Sequence, residues 1–433
     1  MPTRFDPSEP LRGSLRPPPD KSVSHRAALI AAMGDGETTI AGYLDAADTR
    51  STLAAVTALG ASVEGVDGEV LHSHSRLRVR GAGLRGAATA AIDVGNAGTL
   101  LRLLPGWLAG QETGTWTLDG DESIRRRPVD RIAEPLRLMG ARLGCREDRL
   151  PPLRIDAAPL HGVEYELPVA SAQVQSCLLF AGLLADGETR IAEPLPSRDH
   201  SERMLSAAGA EIERGEGVVS VRPAARLEPG EIAVPADFSS AAFFIVAALL
   251  VPGSDVTVTG VGLNPTRTGL LSILERMGAE IEVEPEDGRG GEPSGRLRIR
   301  CSQLRGTEVG GAEVPLAIDE LPLVALAGCF AEGPTTIRDA AELRRKESDR
   351  IATVSEALGA LGATVEASDD GMRIEGGGSL HGGTVSSHGD HRIAMLGAIA
   401  GLASRDGVDV AGMDAAAVSY PGFEADLASL ASR

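Results

Sequence analysis

Lysine is nearly absent from this sequence. Lys21 and Lys346 are the only two lysines, so arginine supplies the other 40 of the 42 basic side chains. Genome composition alone can produce such a bias, but the bias leaves open why lysine is kept at two positions. Aromatic residues are also scarce, at 3%. The core must therefore be built from alanine, leucine, valine and isoleucine.

Features of membrane and secreted proteins are missing as well. The longest apolar runs, such as residues 241–251, are too short to span a bilayer. The first twenty residues contain no apolar signal-peptide core. The four cysteines have neither metal-ligand spacing nor the pattern of a disulfide framework, and they are Cys145, Cys177, Cys301 and Cys329. We therefore expect a soluble protein of the reducing cytoplasm.

The chain has no excess of basic charge either. Its formal net charge is −19, which argues against nucleic acid or an anionic membrane surface as the main partner. An acidic protein that binds an anion must concentrate positive charge locally, so the basic clusters are candidate sites. The length of 433 residues predicts two or three domains.

One short pattern recurs six times along the chain. It is a β-branched strand opened by a turn, as in "GETTIAG" and "GPTTIRD", and its copies begin at Gly36, Gly114, Gly187, Ser254, Gly333 and Gly407. An Ala-rich helix that is apolar nearly all round precedes each strand, and helices with a polar face, several ending in "LGA"-like sequences, follow. Because two elements recur in order, chance is the weaker explanation. The sequence predicts six units in two similar lobes, with chain crossings near 14–20 and 232–238.

Charged and polar residues fall at equivalent places in these units, the starts of helices. A helix start offers unpaired N–H groups and the positive end of the helix dipole, which suits an anion. Basic side chains add to these starts, namely Lys21, Arg26, Arg102, Arg127, Lys346, Arg350 and Arg392. Arginine forks suit carboxylate and phosphate, whereas lysine is a compact charge that can titrate. The pattern indicates two lobes that bind a small polyanion.

Each motif alone also has a simpler interpretation. Lys21 and Ser22 fit an exposed helix cap, and the arginine runs at 125–127 and 344–346 fit solvated faces. His391 fits a structural histidine, and Asp319 and Glu347 fit ordinary carboxylates at helix N-termini. Only their joint placement in equivalent units of both halves favours a functional site.

Six segments together carry a resemblance to a known family. They are "DKSVSHRAAL", "GNAGTLLRLL", "IRRRPVDRI", "SAQVQSCLL", "LRRKESDRI" and "HGDHRIAM". In this order they resemble the motifs of the 5-enolpyruvylshikimate-3-phosphate synthase family, from about residue 10 to residue 424. The resemblance implies an α/β (α+β) fold of two lobes, each with three βαβαββ repeats and buried parallel helices. The implied lobes are 19–236, on the shikimate phosphate side, and 1–18 with 237–433, with the active site in the cleft between them.

The resemblance also implies a reaction. The enolpyruvyl group of phosphoenolpyruvate passes to the 5-hydroxyl of shikimate 3-phosphate and phosphate is released, a step of aromatic amino-acid biosynthesis. No metal or organic cofactor is implied, the partners are these two small molecules, and the family expectation is a monomer. Gly98 at the phosphoenolpyruvate site implies sensitivity to the family inhibitor glyphosate.

Site residues follow from the resemblance by position in the motifs. The implied catalytic residues are Asp319, as the base toward the attacking hydroxyl, with Glu347 and Lys21. The implied shikimate 3-phosphate ligands are Lys21, Ser22, Arg26, Ser171, Gln173, Ser197, Asp319 and Lys346. The implied phosphoenolpyruvate ligands are Lys21, Gly98, Arg127, Gln173, Arg350 and Arg392. Independently, addition to an enol ether needs a base at the hydroxyl and an acid at the methylene carbon, so titratable groups must accompany the fixed arginines.

Two positions depart from the family pattern. Val418 stands where some members have a phosphoenolpyruvate-binding lysine, so that contact is absent or replaced. Glu342 stands where some members have asparagine, which puts one shikimate contact in doubt.

Two alternative functions remain. The related enolpyruvyl transferases that act on UDP-N-acetylglucosamine generally carry a cysteine before the "RPVD"-like motif, whereas this chain has Glu122 there and Cys145 only after the next helix. The second alternative is a non-catalytic anion-binding protein on the same scaffold. Such a protein would need the arginines but not Asp319, Glu347 and the lysines together.

Overall fold

The structure, a computed structural model, describes residues 1–65 and 75–431. The chain divides into two compact units. Unit I comprises Pro19–Pro235 and Gly288–Pro293, and unit II comprises Met1–Pro18, Ala236–Asp287 and Ser294–Arg433. This division differs from the predicted lobes by one residue at the second boundary and by the segment Gly288–Pro293, which the sequence interpretation left in the other lobe. Along the described ranges no helix combines the length and apolar character needed to cross a bilayer.

Thirteen α-helices lie in the described residues: α1 (Lys21–Met33), α2 (Ala47–Ala58), α3 (Gly98–Ala109), α4 (Asp130–Leu138), α5 (Ala172–Gly182), α6 (His200–Ala207), α7 (Phe238–Leu250), α8 (Gly269–Arg276), α9 (Val314–Ala317), α10 (Leu321–Phe330), α11 (Arg350–Ala360), α12 (His391–Ala403) and α13 (Phe423–Ala431). The six predicted Ala-rich helices are confirmed as α1, α3, α5, α7, α10 and α12, and nearly all their residues are buried. The closing helix predicted for the sixth unit is confirmed as α13.

Twenty-five strands occur in the same residues: β1 (Thr3–Phe5), β2 (Arg12–Leu15), β3 (Glu37–Tyr43), β4 (Ser62–Gly65), β5 (Ser75–Arg80), β6 (Ala91–Asp93), β7 (Thr115–Asp119), β8 (Arg142–Arg146), β9 (Leu150–Asp156), β10 (Leu160–His161), β11 (Glu164–Glu166), β12 (Ala185–Asp186), β13 (Thr189–Ala192), β14 (Ile212–Gly215), β15 (Val218–Val221), β16 (Glu231–Ala233), β17 (Asp255–Gly262), β18 (Glu280–Glu286), β19 (Ser294–Arg300), β20 (Glu308–Val309), β21 (Thr335–Ile337), β22 (Val365–Ala367), β23 (Met372–Ile374), β24 (Gly383–Ser386) and β25 (Val408–Ala411).

The main sheets of both units follow one pattern. A central strand pairs parallel with one neighbour and antiparallel with the other, and a fourth strand pairs antiparallel with the latter. Unit I contains β16-β3-β5-β4, β6-β7-β9-β8 and β11-β13-β15-β14, and unit II contains β2-β17-β19-β18, β20-β21-β23-β22 and the shorter β24-β25-β1. The pattern matches the predicted repeats, and the chain therefore has a mixed α/β fold of two lobes with three repeats each.

Three of these sheets take a strand from outside their own repeat. In unit I, β16 pairs parallel with β3, so the last strand of the long unit I segment completes the first sheet. In unit II, the N-terminal strands serve two different sheets, because β2 pairs with β17 and β1 pairs with β25. The recurring sequence pattern does not show that a strand joins the sheet of another repeat, because a strand of three or four residues carries little periodic signal.

Alternation along the strands explains where much of the arginine lies. In β5 and β19, leucine, valine and isoleucine point into the core while the intervening arginines point outward. These arginines meet carboxylates on neighbouring strands, as Arg298 does with Asp255 at 2.7 Å and Arg78 with Glu37 at 3.1 Å. Both pairs are substantially exposed and contribute little stability each. Most such positions need only a fixed positive charge.

Each unit has its own hydrophobic core, formed by the buried helices and the inner faces of its sheets. In unit I the contact between α3 and α5 depends on Gly106, where a Cβ atom would lie 2.0 Å from the carbonyl oxygen of Cys177. Any other residue would force the two helices apart. This close contact brings the beginnings of α3 and α5, and the polar residues there, next to each other.

Candidate active site

Aspartates occupy several of the helix starts for which the sequence predicted open anion sites. In α1, α7, α11 and α12 the N-cap carboxylate accepts a hydrogen bond from a first-turn backbone N–H group, and these caps are Asp20, Asp237, Asp349 and Asp390. At these four starts a carboxylate already occupies part of the backbone N–H site, so an anion there also needs basic side chains. The N-caps of α3 and α5, Ala97 and Ser171, make no side-chain cap hydrogen bond. The starts of α3 and α5, both in unit I, therefore fit the predicted open anion sites better than the four capped starts do.

A chain of polar side chains joins the first turns of α3 and α5. Arg102 donates from Nη1 to Oε1 of Gln173 at 2.6 Å, and Nε2 of Gln173 donates to Oγ1 of Thr99 at 3.2 Å. Burial first, and then the neighbouring Arg131 and Arg127, lowers the pKa of Arg102 to about 10. Arg102 is therefore still a cation at neutral pH. Arg102 fixes the amide of Gln173, which the family resemblance implies as a ligand of both substrates.

Gly98 and Arg127 are also adjacent. A Cβ atom on Gly98 would lie 2.5 Å from Nη1 of Arg127, so the guanidinium packs directly on the glycine backbone. Arg127 also donates from Nη2 to Oδ1 of Asn96 at 2.9 Å. Contrary to the predicted helix start, Arg127 lies between a 3₁₀ turn at Ile124–Arg126 and the start of α4 at Asp130. The arginine is thus held by contacts with the start of α3.

Lys21, the first residue of α1, lies beside a carboxylate that sequence analysis did not identify. Its Nζ is 3.1 Å from Oδ2 of Asp48, on the second residue of α2, and about half of the lysine side chain is exposed. No sequence pattern singled out Asp48. The pair leaves the ammonium accessible while giving it a defined partner.

Arg26, by contrast, is buried and highly connected. It donates from Nε to Ser201 at 2.7 Å, from Nη2 to Ser176 at 3.0 Å and from Nη1 to the carbonyl of Ser22 at 3.1 Å. Burial lowers the pKa of Arg26 to about 10, so the side chain remains charged at neutral pH. These bonds tie α1 to α5 and α6. Ser176 lies inside the motif segment at 171–179 and Ser201 lies outside all six segments, and the sequence gave no signal for this role of either residue.

Ser197 is the remaining predicted residue of unit I. Its hydroxyl donates to Glu193 and lies 3.4 Å from Oε1 of Gln175. Ser197 is therefore connected to α5 through Gln175.

In unit II, Asp319 is the centre of a cluster of three cations. Its Oδ1 lies 3.4 Å from Nζ of Lys346 and 3.4 Å from Nη1 of Arg350, and its Oδ2 lies 3.8 Å from Nη2 of Arg392. Arg392 also donates from Nη1 to the carbonyl oxygen of Asp319 at 3.2 Å. The structure thus brings together four residues that the sequence predicted from two separate repeats.

Arg350 is the most deeply buried member of this cluster. Its Nε donates to Asp390 at 2.9 Å, and its Nη2 donates to Glu347 at 2.5 Å. Burial acts to raise the pKa of Asp390, but the hydrogen bond and the charge of Arg350, together with hydrogen bonds from the Arg392 backbone and Ser348, lower that pKa on balance. The pair fixes Arg350 as a permanent cation between α11 and α12.

Lys346 and Glu347 do not lie in a helix, contrary to the predicted helix start. They follow a 3₁₀ turn at Ala341–Arg345, and α11 begins only at Arg350. Lys346 also contacts Glu342 at 3.1 Å, so the residue that departs from the family pattern is an ion-pair partner of the site lysine. This pairing could not be read from motif positions.

Two further sequence observations have structural outcomes. Val418, at the position of the missing lysine, is exposed. His391 begins α12, and burial, followed by the charge of Arg392, lowers its pKa to about 4. A neutral imidazole at working pH fits the structural interpretation of His391.

Acid is expected to destabilise unit I through His25, on the inner face of α1. His25 is fully buried with Nδ1 2.6 Å from Oγ1 of Thr52, and burial, then Lys21 and Arg26, lowers its pKa to about 3. An unfolded histidine titrates near 6.5. Between pH 6.5 and pH 3 the histidine binds a proton in the unfolded state but not in the folded state. The stability that the neutral, buried His25 contributes is therefore full above about pH 6.5 and is lost as the pH falls toward 3.

Urea unfolding at pH 7.5 and 5.5 tests this expectation, with tryptophan fluorescence as the signal. Both tryptophans, Trp107 and Trp116, are buried in unit I and therefore report on that unit. The urea midpoint should fall at pH 5.5 in the wild type and fall less in His25→Gln. The exposed His161 provides the control, since His161→Gln should reproduce the wild-type difference. An equal drop in His25→Gln would contradict the assignment.

The chain as a whole is similar to one family of proteins. The family model of EPSP synthase (3-phosphoshikimate 1-carboxyvinyltransferase) matches residues 5–427. A 3-phosphoshikimate 1-carboxyvinyltransferase of Synechococcus sp. (strain JA-3-3Ab) is 48% identical over 97% of this chain and 94% of that protein. One of Gloeobacter violaceus is 48% identical over 98% of this chain and 97% of that protein.

Solved structures give the same picture. EPSP synthase from Acinetobacter baumannii superimposes with a TM-score of 0.93 at 40% identity, over 99% of this chain and 97% of that one. The enolpyruvyl transferase NikO from Streptomyces tendae superimposes with a TM-score of 0.77 at 20% identity, over 99% and 96% of the two chains. The second likeness concerns the fold alone.

Proposed function

We propose that the side-chain clusters described in units I and II catalyse the reaction of EPSP synthase (3-phosphoshikimate 1-carboxyvinyltransferase). This chain belongs to that family and is a transferase. The reaction moves the enolpyruvyl group of phosphoenolpyruvate to the 5-hydroxyl of shikimate 3-phosphate and releases phosphate. The observation that carries the proposal is Asp319, a carboxylate beside three cations. The charge of this carboxylate weakens the binding of anions to the same cations, so its central position favours a role in proton transfer over anion binding alone.

The first step is addition. The 5-hydroxyl oxygen attacks C2 of phosphoenolpyruvate, Asp319 takes the hydroxyl proton, and C3 receives a proton to become a methyl group. Lys21 and Glu347 are our proposed proton carriers at C3, because both are partly exposed and each has a charged partner. In the second step the methyl group gives a proton back to the carrier as the C2–O bond to phosphate breaks, which restores the C2–C3 double bond of the enolpyruvyl group and releases phosphate.

The arginines hold the anions and do not exchange protons. We assign phosphoenolpyruvate to Arg127, Arg350 and Arg392, with Gly98, Gln173 and Lys21. We assign shikimate 3-phosphate to Ser22, Arg26, Ser171, Gln173, Ser197 and Lys346, with Lys21 and Asp319. Guanidinium groups remain protonated and bind carboxylate and phosphate through paired donors. Holding the two reactants in place removes much of the entropy cost of their encounter.

Phosphate release tests the proposed function directly. We expect release with shikimate 3-phosphate plus phosphoenolpyruvate, and none when UDP-N-acetylglucosamine replaces shikimate 3-phosphate. Release only with the nucleotide sugar would support the related transferase. Binding of both substrates without turnover would support the non-catalytic alternative.

Gly98→Ala is expected to raise the KM for phosphoenolpyruvate about tenfold, since a misplacement of about 1 Å can have effects of this size or more. The added methyl group would lie 2.5 Å from Nη1 of Arg127 and must push the guanidinium away. The KM for shikimate 3-phosphate should change little. Steady-state kinetics measure both. Gly144→Ala is the control, because nothing lies within 4 Å of a Cβ atom there; an equal response of both variants would refute the assignment.

Two finer proposals concern the state of the protein. A cytoplasmic location is supported by the cysteine pattern, and in the structure all four cysteines have free thiols. A monomer is the expectation from the family. Light scattering on the purified protein tests the second proposal, and a mass of twice 44.8 kDa would contradict it.

A further inference from the structure

Glu320, the residue after Asp319, is a buried carboxylate that the reaction does not require. Its side chain is only 3% exposed, and it stands at the N-cap of α10 without capping it through its side chain. Burial raises the pKa of Glu320, against the effect of Arg392 and Arg267. A buried acid of this kind is costly unless charged or hydrogen-bonding partners surround it.

Partners surround Glu320 on two sides. Nη1 of Arg392 lies 3.7 Å from Oε1 of Glu320, and the hydroxyl of Ser239 donates to the same oxygen. That hydroxyl in turn accepts from Nη2 of Arg267 at 2.8 Å, and Arg267 is held by Asp237 at 3.2 Å. The result is a line of contacts from the start of α7, through the start of α10, to the start of α12. All of its members lie in unit II and are largely buried.

We propose that Glu320 is a positioning residue that orients the guanidinium of Arg392 toward phosphoenolpyruvate. Nη1 of Arg392 faces two protein oxygens, the carbonyl of Asp319 at 3.2 Å and the carboxylate of Glu320 at 3.7 Å. A guanidinium is planar, so fixing one side of it sets the direction of the remaining donors. Ser239 holds the carboxylate in the orientation that this contact needs.

This role predicts an effect opposite in sign to that of simple electrostatics. A negative charge near an anion site weakens anion binding, so loss of the charge alone would lower the KM for phosphoenolpyruvate. Loss of positioning raises that KM, because Arg392 must then be ordered by the substrate itself. The direction of the change therefore separates the two roles.

The inference rests on the proposed assignment of Arg392 to phosphoenolpyruvate, and Glu320→Gln tests it. Glutamine keeps the size and an acceptor for Ser239 but removes the ion pair. We expect the KM for phosphoenolpyruvate to rise about tenfold, while the KM for shikimate 3-phosphate stays within about twofold, in line with the loss of one partner of a buried charge pair. Ser239→Ala should shift the same constant in the same direction by less. The double variant should add little to Glu320→Gln, since the two residues act through one contact.

Controls separate the possible failures. Glu313→Gln removes a different ion pair of unit II, with Arg276 at 3.0 Å, and should leave all constants unchanged. Arg392→Lys should raise the KM for phosphoenolpyruvate; if it does not, the proposed function of Arg392 fails. If Arg392→Lys responds and Glu320→Gln shows an unchanged or lower KM, the positioning role alone is overturned. Should Glu320→Gln not fold, Ser239→Ala decides, and an unchanged KM in that variant overturns the role.

Discussion

Asp319→Asn is expected to lower kcat by roughly 10²–10⁴-fold, the range typical of general acid–base catalysis. Asparagine has nearly the size of aspartate but cannot accept the hydroxyl proton of shikimate 3-phosphate. The KM for phosphoenolpyruvate should not rise, because Lys346, Arg350 and Arg392 lose a competing negative charge. A fall in kcat without a rise in KM is the sign of an interaction made only in the transition state.

Asp255→Asn is the matched control for this experiment. Asp255 is also a carboxylate of unit II paired with an arginine, Arg298, but it lies on an outward-facing sheet surface. Its replacement should leave kcat and both KM values unchanged. A kcat near the wild-type value in Asp319→Asn would show that another group removes the proton. Phosphate release with both substrates saturating measures the difference.

Lys21→Arg is expected to lower kcat/KM about 100-fold while the protein stays folded, an effect typical of a displaced catalytic group. The change keeps the positive charge and the proximity to Asp48. It replaces a compact ammonium with a wide planar fork that does not give up its proton. A role in fixed charge alone would survive this change, whereas proton transfer to C3 would not.

Arg50→Lys makes the reverse exchange in the same part of unit I. Arg50 lies on α2 with Asp48 and forms two hydrogen bonds with Asp45, at 2.5 and 2.8 Å. Activity should be unchanged, because this exposed pair touches none of the proposed ligands. Tryptophan fluorescence confirms that both variants fold. Near-normal turnover in Lys21→Arg would remove Lys21 from the catalytic residues.

The sequence predicted the repeats and the buried helices well, because long apolar helices and recurring strand starts are strong periodic signals. It did not predict that β16, β2 and β1 complete sheets outside their own repeats. Strands of three or four residues carry little pattern of their own. Their pairing depends on which edge remains open after folding, and that is a property of the whole unit.

For the candidate site, motif positions identified Asp319, Arg350 and Arg392, which the structure confirms as neighbours. The residues that hold them were harder to find. Neither Glu320 nor Asp48 was singled out by any sequence pattern. Partners from other repeats become visible only in three dimensions. The prediction that the helix starts are open to anions was partly wrong. At four of them an aspartate begins the helix and its carboxylate accepts a hydrogen bond from a first-turn N–H group.

The exchange of strands among repeats bears on how the chain folds during its synthesis. Unit I has all the strands of its three main sheets once β16 has been made, and only Gly288–Pro293 is added later. In unit II, β1 and β2 are made before any strand of unit I, but their partners β25 and β17 are made only after unit I's long segment. The first eighteen residues therefore leave the ribosome long before they can pair. Unit II, whose segments lie on both sides of unit I in the sequence, is therefore completed after unit I.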